Sequence, residues 1–269
     1  VTINNTAVYD IDKLKVINAG TTGAITLNDT TIALSGDATD LASALDGSIN
    51  HGGAVTVTDA LYTVAELKAI AGGTSGFITL NNTARALSGD ATDLKTIFDE
   101  NITTHTGQVT VTDASYTVAE LKAIAGGTSG AITLSNTGVA LSGDATDLKT
   151  IFDESITAHT GQVTVTDGAY TVAELKSIAG GTSGAITLSN AGVALSGDAT
   201  DLKTIFDENI VTTHTGQVTV TDSAYTVAEL KSIAGGTSGA ITLSDTTVAL
   251  TGSVTDLNTI FSENITTHT

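Results

Sequence analysis

The chain contains no cysteine, methionine, tryptophan or proline, and its ten lysines and arginines face 29 acidic residues. Each shortage excludes something. Without cysteine there is neither a disulfide framework nor a thiolate metal site. A formal net charge of -19 leaves no basic footprint for phosphates, which argues against nucleic acid as a partner. The acidic balance is compatible with cations, with a high-salt exterior, or simply with solubility. No apolar run is long enough to cross a bilayer, so membrane insertion is not expected, and no segment reads as a signal peptide. The chain opens on Val1 and both ends fall close to a repeat boundary, as expected of a piece of a longer array.

What is present is repetition. The segment Val55-Thr56-Val57-Thr58-Asp59 returns at Val109, Val163 and Val218, in steps of 54, 54 and 55 residues. A diverged copy, Val1-Thr2-Ile3-Asn4-Asn5, begins the chain, which gives repeats 1–54, 55–108, 109–162, 163–217 and 218–269. The extra residue of the fourth repeat falls in Asn209-Ile210-Val211-Thr212-Thr213, where an insertion marks a loop. Self-similarity at this period is the signature of solenoids, propellers and domain arrays.

Each repeat contains two related halves. Leu67, Leu94, Leu121 and Leu148 sit 27 residues apart, in text alternating between Ala-Glu-Leu-Lys and Thr-Asp-Leu-Lys. A strand with period-two alternation precedes each, either Val109-Thr110-Val111 or Ile132-Thr133-Leu134. Thr117 and Glu120 form a capping box, repeated at Thr63/Glu66, Thr171/Glu174 and Thr226/Glu229. In the other half Asp144 is the expected N-cap, with Asp147 in the first turn where the helix dipole favours a carboxylate. Val118, Leu121 and Ile124 share one helical face, and Gly126-Gly127 is expected to stop the helix. Such short helices need tertiary support. One strand and one helix cannot close a core, but stacked coils can. The expected fold is therefore an α/β solenoid with parallel strands on one side and short helices on the other. Independent 54-residue domains are the weaker alternative, because domains so small are marginal without staples.

Stacking turns a repeated residue into a row. The first row closes the strands: Asn5, Asp29, Asp59, Asn82, Asp113, Asn136, Asp167, Asn190, Asp222 and Asp245. It reads first as a turn ladder bonded to nearby backbone N–H groups. Its alternative is a calcium row carried by Asp59, Asp113, Asp167 and Asp222, since hard cations take carboxylate and amide oxygens together. The chain lacks the Gly-Gly-x-Gly-x-Asp nonapeptide of calcium-binding β-rolls. A second row is threonine: Thr56/Thr58, Thr110/Thr112, Thr164/Thr166 and Thr219/Thr221. Flat Thr-x-Thr arrays resemble the ice-binding face of some β-solenoids, although threonine is also an ordinary solvent-facing strand residue. The third row is His51, His105, His159, His214 and His268; one histidine per repeat is a poor metal motif and reads as a structural loop residue. The fourth row, Tyr9, Tyr62, Tyr116, Tyr170 and Tyr225, reads as core, as do Phe98, Phe152, Phe206 and Phe261.

No catalytic constellation stands apart from the repeat. Gly-Gly-Thr-Ser-Gly at Gly72, Gly126, Gly180 and Gly235 lacks the lysine of a P-loop and leads into a strand. An enzyme is not expected, and no cofactor is implied beyond the calcium alternative. The segments Tyr116 to Ile124 and Gly130 to Leu134 resemble repeats of giant cell-surface proteins of cyanobacteria, a group that includes the very large surface protein associated with non-flagellar swimming. The resemblance covers the whole chain and implies an exported, filamentous or adhesive role. The expected function is thus a structural segment of a large extracellular or cell-surface protein, with neighbouring repeats or other copies end to end as partners. Calcium-dependent adhesion or an ice-like binding surface is the alternative.

Overall fold

A computed structural model of the chain describes residues 1–4, 7–46, 49–99, 102–153, 156–207, 209–262 and 264–269. Among these, helices of eight to ten residues alternate with strands of two or three. The chain divides into two compact units, residues 1–136 with 154–157, and residues 137–153 with 158–269. In the first unit Thr2–Ile3 pairs with Thr26–Leu27, and two three-stranded sheets follow. One joins Leu34–Gly36, Val55–Val57 and Ile78–Leu80; the other joins Leu87–Gly89, Val109–Val111 and Ile132–Leu134. The second unit repeats the plan with Leu141–Gly143, Val163–Val165 and Ile186–Leu188, then Leu195–Gly197, Val218–Val220 and Ile241–Leu243. All these pairings are parallel, which requires a crossover between successive strands, and a helix provides it.

The repeat therefore carries three strands, not the two expected. The added one is Leu-Ser-Gly, as in Leu87–Gly89. Serine and glycine have little intrinsic preference for strands, and the segment is too short to show a period. It is extended because the free edge of the next Val-Thr-Val strand pairs with it, Leu87 opposite Val109 and Gly89 opposite Val111. Each sheet gains a further single bridge, such as Ile78 to Ile102 and Ile132 to Ile156.

Alternation then sorts the side chains. Val109 and Val111 are fully buried, as is Ile132, while Thr110 between the valines is partly exposed. Fully buried with them are Leu121 and Ile124 of Val118–Gly127, and Ala91, Leu94 and Ile97 of Ala91–Asp99. Burial of a Leu or Ile side chain is worth about 1.5–3 kcal/mol, so this aliphatic layer is the main stabilising term. Within each unit consecutive helices lie side by side. Lys15 pairs with Asp40 and Lys68 with Asp93 in the first unit, and Lys176 pairs with Asp201 in the second. These exposed pairs add at most about 1 kcal/mol each. The expected glycine stop lies inside the helix: Gly126 and Gly127 are its last two residues, and Thr128 is the C-cap.

Candidate functional site

The helices of the two half-repeats are capped differently. Thr117 Oγ1 accepts from the Glu120 amide at 3.2 Å, and Glu120 Oε2 accepts from the Thr117 amide at 2.8 Å, completing the capping box. The same reciprocal pair occurs at Thr63, Thr171 and Thr226. The Glu120 oxygen Oε1 also accepts from Thr92 Oγ1 at 2.9 Å, one helix back. Burial works to raise the Glu120 pKa, but the hydrogen bonds from Thr117 and Thr92 outweigh it and hold the carboxyl below its usual value.

In the other half the cap is shared. Asp90 Oδ1 accepts from the Asp93 amide at 2.8 Å, as expected of an N-cap. The Ala91 amide donates instead to Asp113 Oδ2 at 2.7 Å, from 22 residues further along the chain. Asp59, Asp167 and Asp222 do the same for the amides of Ala38, Ala145 and Ala199, at 2.8, 2.7 and 2.7 Å. All four calcium candidates are therefore placed at helix N-termini, where two carboxylates meet the positive end of one helix dipole. A cation at any of them would compete with that helix for the carboxylate. Among the described residues no group of three or more His, Asp or Glu side chains is gathered as a metal site would be.

The amides of the same row are engaged in another way. Asn82, Asn136 and Asn190 donate from Nδ2 to the carbonyls of Ala60, Ala114 and Gly168 at 2.9, 2.7 and 2.9 Å. Their own carbonyls receive the hydroxyls of Tyr62, Tyr116 and Tyr170. Burial pushes the Tyr62, Tyr116 and Tyr170 phenols up to about 12. Asp29 and Asp245 each accept from the second residue on, Thr31 and Thr247, at 2.9 Å. Asn5 lies outside the described residues.

The histidines read as structural loop residues, and what sequence reasoning did not find is their burial. His51, His105, His159 and His214 are among the most buried polar groups. His105 Nε2 lies 2.9 Å from the Arg85 carbonyl, and Nδ1 lies 2.9 Å from Thr128 Oγ1. A carbonyl only accepts, so Nε2 carries the proton and Nδ1 accepts from the threonine hydroxyl. That threonine in turn accepts from the Gly130 amide at 3.0 Å. The Phe98 ring covers the imidazole at 5.5 Å between centroids. His159 repeats the set with Val139, Thr182, Gly184 and Phe152. His214 repeats it with Val193, Thr237, Gly239 and Phe206. Burial lowers the pKa of all four imidazoles, more than the carbonyl bond raises it.

Glycine makes this clasp possible. A Cβ on Gly130 would stand 1.9 Å from the Gly107 carbonyl oxygen, and one on Gly107 would stand 2.3 Å from that of Arg85. Three backbone segments thus stack too closely for any side chain. The sequence does carry a signal for the clasp: His51-Gly-Gly and the three later His-Thr-Gly segments are each followed, 23 residues on, by Thr-Ser-Gly.

The threonine rows are short. Ser88, Thr110 and Thr133 make a row of three across one sheet, and Thr112 and Ser135, just past the strand ends, are exposed beside it. Gln108 Nε2 donates to Thr133 Oγ1 at 3.0 Å at its border. The shallow hollow beside Asp113, about 400 Å³, is lined by Thr92, Ser115, Tyr116, Thr117 and Glu120. Its threonine hydroxyls and carboxylates are engaged in the caps just described. Among the described residues no helix is long and apolar enough to cross a membrane.

The class these features define is a tandem strand–helix repeat whose recurring polar residues bond from coil to coil. No protein-family description, no curated protein and no solved structure matches the chain.

Proposed function

We propose that the chain is a scaffold segment: an α/β solenoid in which coil follows coil, supplying length and stiffness to a large extracellular or cell-surface protein as a rod, fibre or coat. One observation carries this reading. Residues that recur as rows, Asp113, His105, Thr128 and Tyr116 among them, are hydrogen-bonded from one half-repeat to the next. Repetition here serves to join neighbours, and joined neighbours make a quasi-one-dimensional protein. The acidic surface and the absence of cysteine fit an exported protein that folds without disulfides.

Small-angle scattering on dilute chain tests the shape. The maximum dimension is expected to grow by a constant step for each repeat added, at constant cross-section. A compact particle would overturn the reading. Surface labelling of intact host cells tests the location: signal is expected without permeabilisation, and signal that needs permeabilisation would contradict it.

A further inference from the structure

Each histidine clasp has more hydrogen-bond acceptors than hydrogens to give them. In the clasp of His105 the Nε2–H donates to the Arg85 carbonyl at 2.9 Å, and the Gly130 amide donates to Thr128 Oγ1 at 3.0 Å. The Thr128 hydroxyl stands between two acceptors, His105 Nδ1 at 2.9 Å and the Gly107 carbonyl at 3.2 Å. A hydroxyl has one hydrogen, so it serves one of the two at a time. The other clasps repeat the choice. Thr74 lies 3.0 Å from His51 Nδ1 and 3.2 Å from the Gly53 carbonyl. Thr182 lies 2.9 Å from His159 Nδ1 and 3.2 Å from the Gly161 carbonyl. Thr237 lies 3.1 Å from His214 Nδ1 and 3.4 Å from the Gly216 carbonyl.

A second proton on the ring closes the gap. Both ring nitrogens then donate, Nε2–H to the Arg85 carbonyl as before and Nδ1–H to Thr128 Oγ1. Thr128 Oγ1 accepts twice, from the ring and from the Gly130 amide, and its own hydrogen turns to the Gly107 carbonyl. Every partner is already at bonding distance. The charge itself is opposed by burial, and no carboxylate offsets it: burial and the carbonyl bond are what act on the four imidazoles. Within the clasps the one charged side chain is Arg85, which acts on the Tyr62 phenol; Ile32, Val139 and Val193 hold its place elsewhere. On the packed helices Lys15 pairs with Asp40, Lys68 with Asp93, Lys95 with Asp99 and Lys149 with Asp153. Lys176 pairs with Asp201, Lys203 with Asp207 and Lys231 with Asp256, while Asp46 and Lys122 are exposed. The carboxylates of the caps, such as Glu120 and Asp113, sit at helix N-termini, whereas the clasp threonine is a C-cap.

We infer that each clasp is a proton-binding site: Nδ1 takes a proton from solvent, and the threonine hydroxyl turns from the ring to the glycine carbonyl while the half-repeats stay joined. His51, His105, His159 and His214 make four such sites. Acid then weakens the array, because burial disfavours the imidazolium, but it does not unlatch the clasp. The net charge of -19 favours uptake at all four. The inference goes beyond the scaffold reading and stands without it, since each clasp lies within one compact unit.

Heteronuclear NMR of the imidazole nitrogens, followed with the backbone amides as the full chain is acidified, tests it. In mild alkali the four rings should carry hydrogen on Nε2 alone. Below the ordinary 6.5 they should gain a second hydrogen on Nδ1 while the amide spectrum of the folded chain persists. Imidazolium that appears only together with the unfolded spectrum overturns the inference, and so does titration at the ordinary value. Thr128→Val removes the hydroxyl and keeps the branched shape. His105 should then bind its second proton about tenfold more weakly, with His159 and His214 unchanged as reporters of the fold. Thr128→Ser should restore the parent titration. If Thr128→Val does not fold, the parent titration alone decides. A folded Thr128→Val chain in which His105 titrates as in the parent contradicts the site.

Discussion

The two helices of one repeat differ in where their caps come from. Val118–Gly127 is closed by Thr117 and Glu120, three residues apart in its own sequence. Ala91–Asp99 takes Asp90 locally but depends on Asp113, which arrives with the next strand. The first helix is specified by its own segment; the second is finished only when its neighbour folds. The histidine clasp extends the same contrast. His105 joins Arg85 before it to Thr128 after it, so a single side chain ties three successive turns of the chain. Bonds within a half-repeat set local structure, and bonds such as Ala91 to Asp113 and His105 to Thr128 join neighbouring half-repeats.

Changes to the between-coil set should therefore cost most. Gly130→Ala puts a Cβ 1.9 Å from the Gly107 carbonyl, backbone against backbone. The expected loss is about 3 kcal/mol or more in urea unfolding, and a loss below about 1 kcal/mol would show that the stack can shift apart. His105→Leu leaves the Arg85 carbonyl without its donor, while the Thr128 hydroxyl keeps the Gly107 carbonyl as an acceptor at 3.2 Å, at an expected cost of about 2 kcal/mol.

Acid should act on the same clasp. Burial depresses the imidazole pKa from its ordinary 6.5, so the folded chain holds these histidines neutral while the unfolded chain protonates first. Their stabilising contribution is full above the ordinary value and is lost as pH falls from there towards the depressed one. Urea midpoints should fall between about pH 7.5 and about pH 5.5, and His105→Leu should flatten that slope. A midpoint flat across this range would contradict the neutral clasp.

Changes within a coil should be milder, and one should reverse sign. Asp113→Ala removes half a cap and should cost about 1 kcal/mol, seen as a lower thermal midpoint. Gly126 sits inside a helix with open space around its Cβ position, whereas a Cβ on Gly127 would stand 2.3 Å from the Phe98 ring. Gly126→Ala should stabilise by up to about 1 kcal/mol and Gly127→Ala should destabilise. Equal effects at the two neighbours would show that the Phe98 contact is unimportant.

The same divide sets what the sequence reveals. The capping boxes were legible because Thr117 and Glu120 are neighbours in the text, and so was the parallel strand–helix alternation, because its periods are local. The Leu87–Gly89 strand was not, because its extension comes from Val109–Val111 and not from its own residues. The Asp113 row was legible as a set of backbone-bonded carboxylates but not as caps, since the amide it meets lies on the preceding helix. His105 read as a loop residue because nothing beside it in the chain hints at burial. Its partners lie 20 and 23 residues away, and only the joint recurrence of His-Thr-Gly and Thr-Ser-Gly marks them.

Chains of three, four and five repeats, compared in equilibrium unfolding, test the coupling between coils most directly. If bonds such as His105 to Thr128 and Ala91 to Asp113 carry the fold, the midpoint should rise with repeat number and the chain should unfold in a shared transition that steepens with length. A midpoint and steepness independent of repeat number would mean that each repeat stands alone, and would contradict the account.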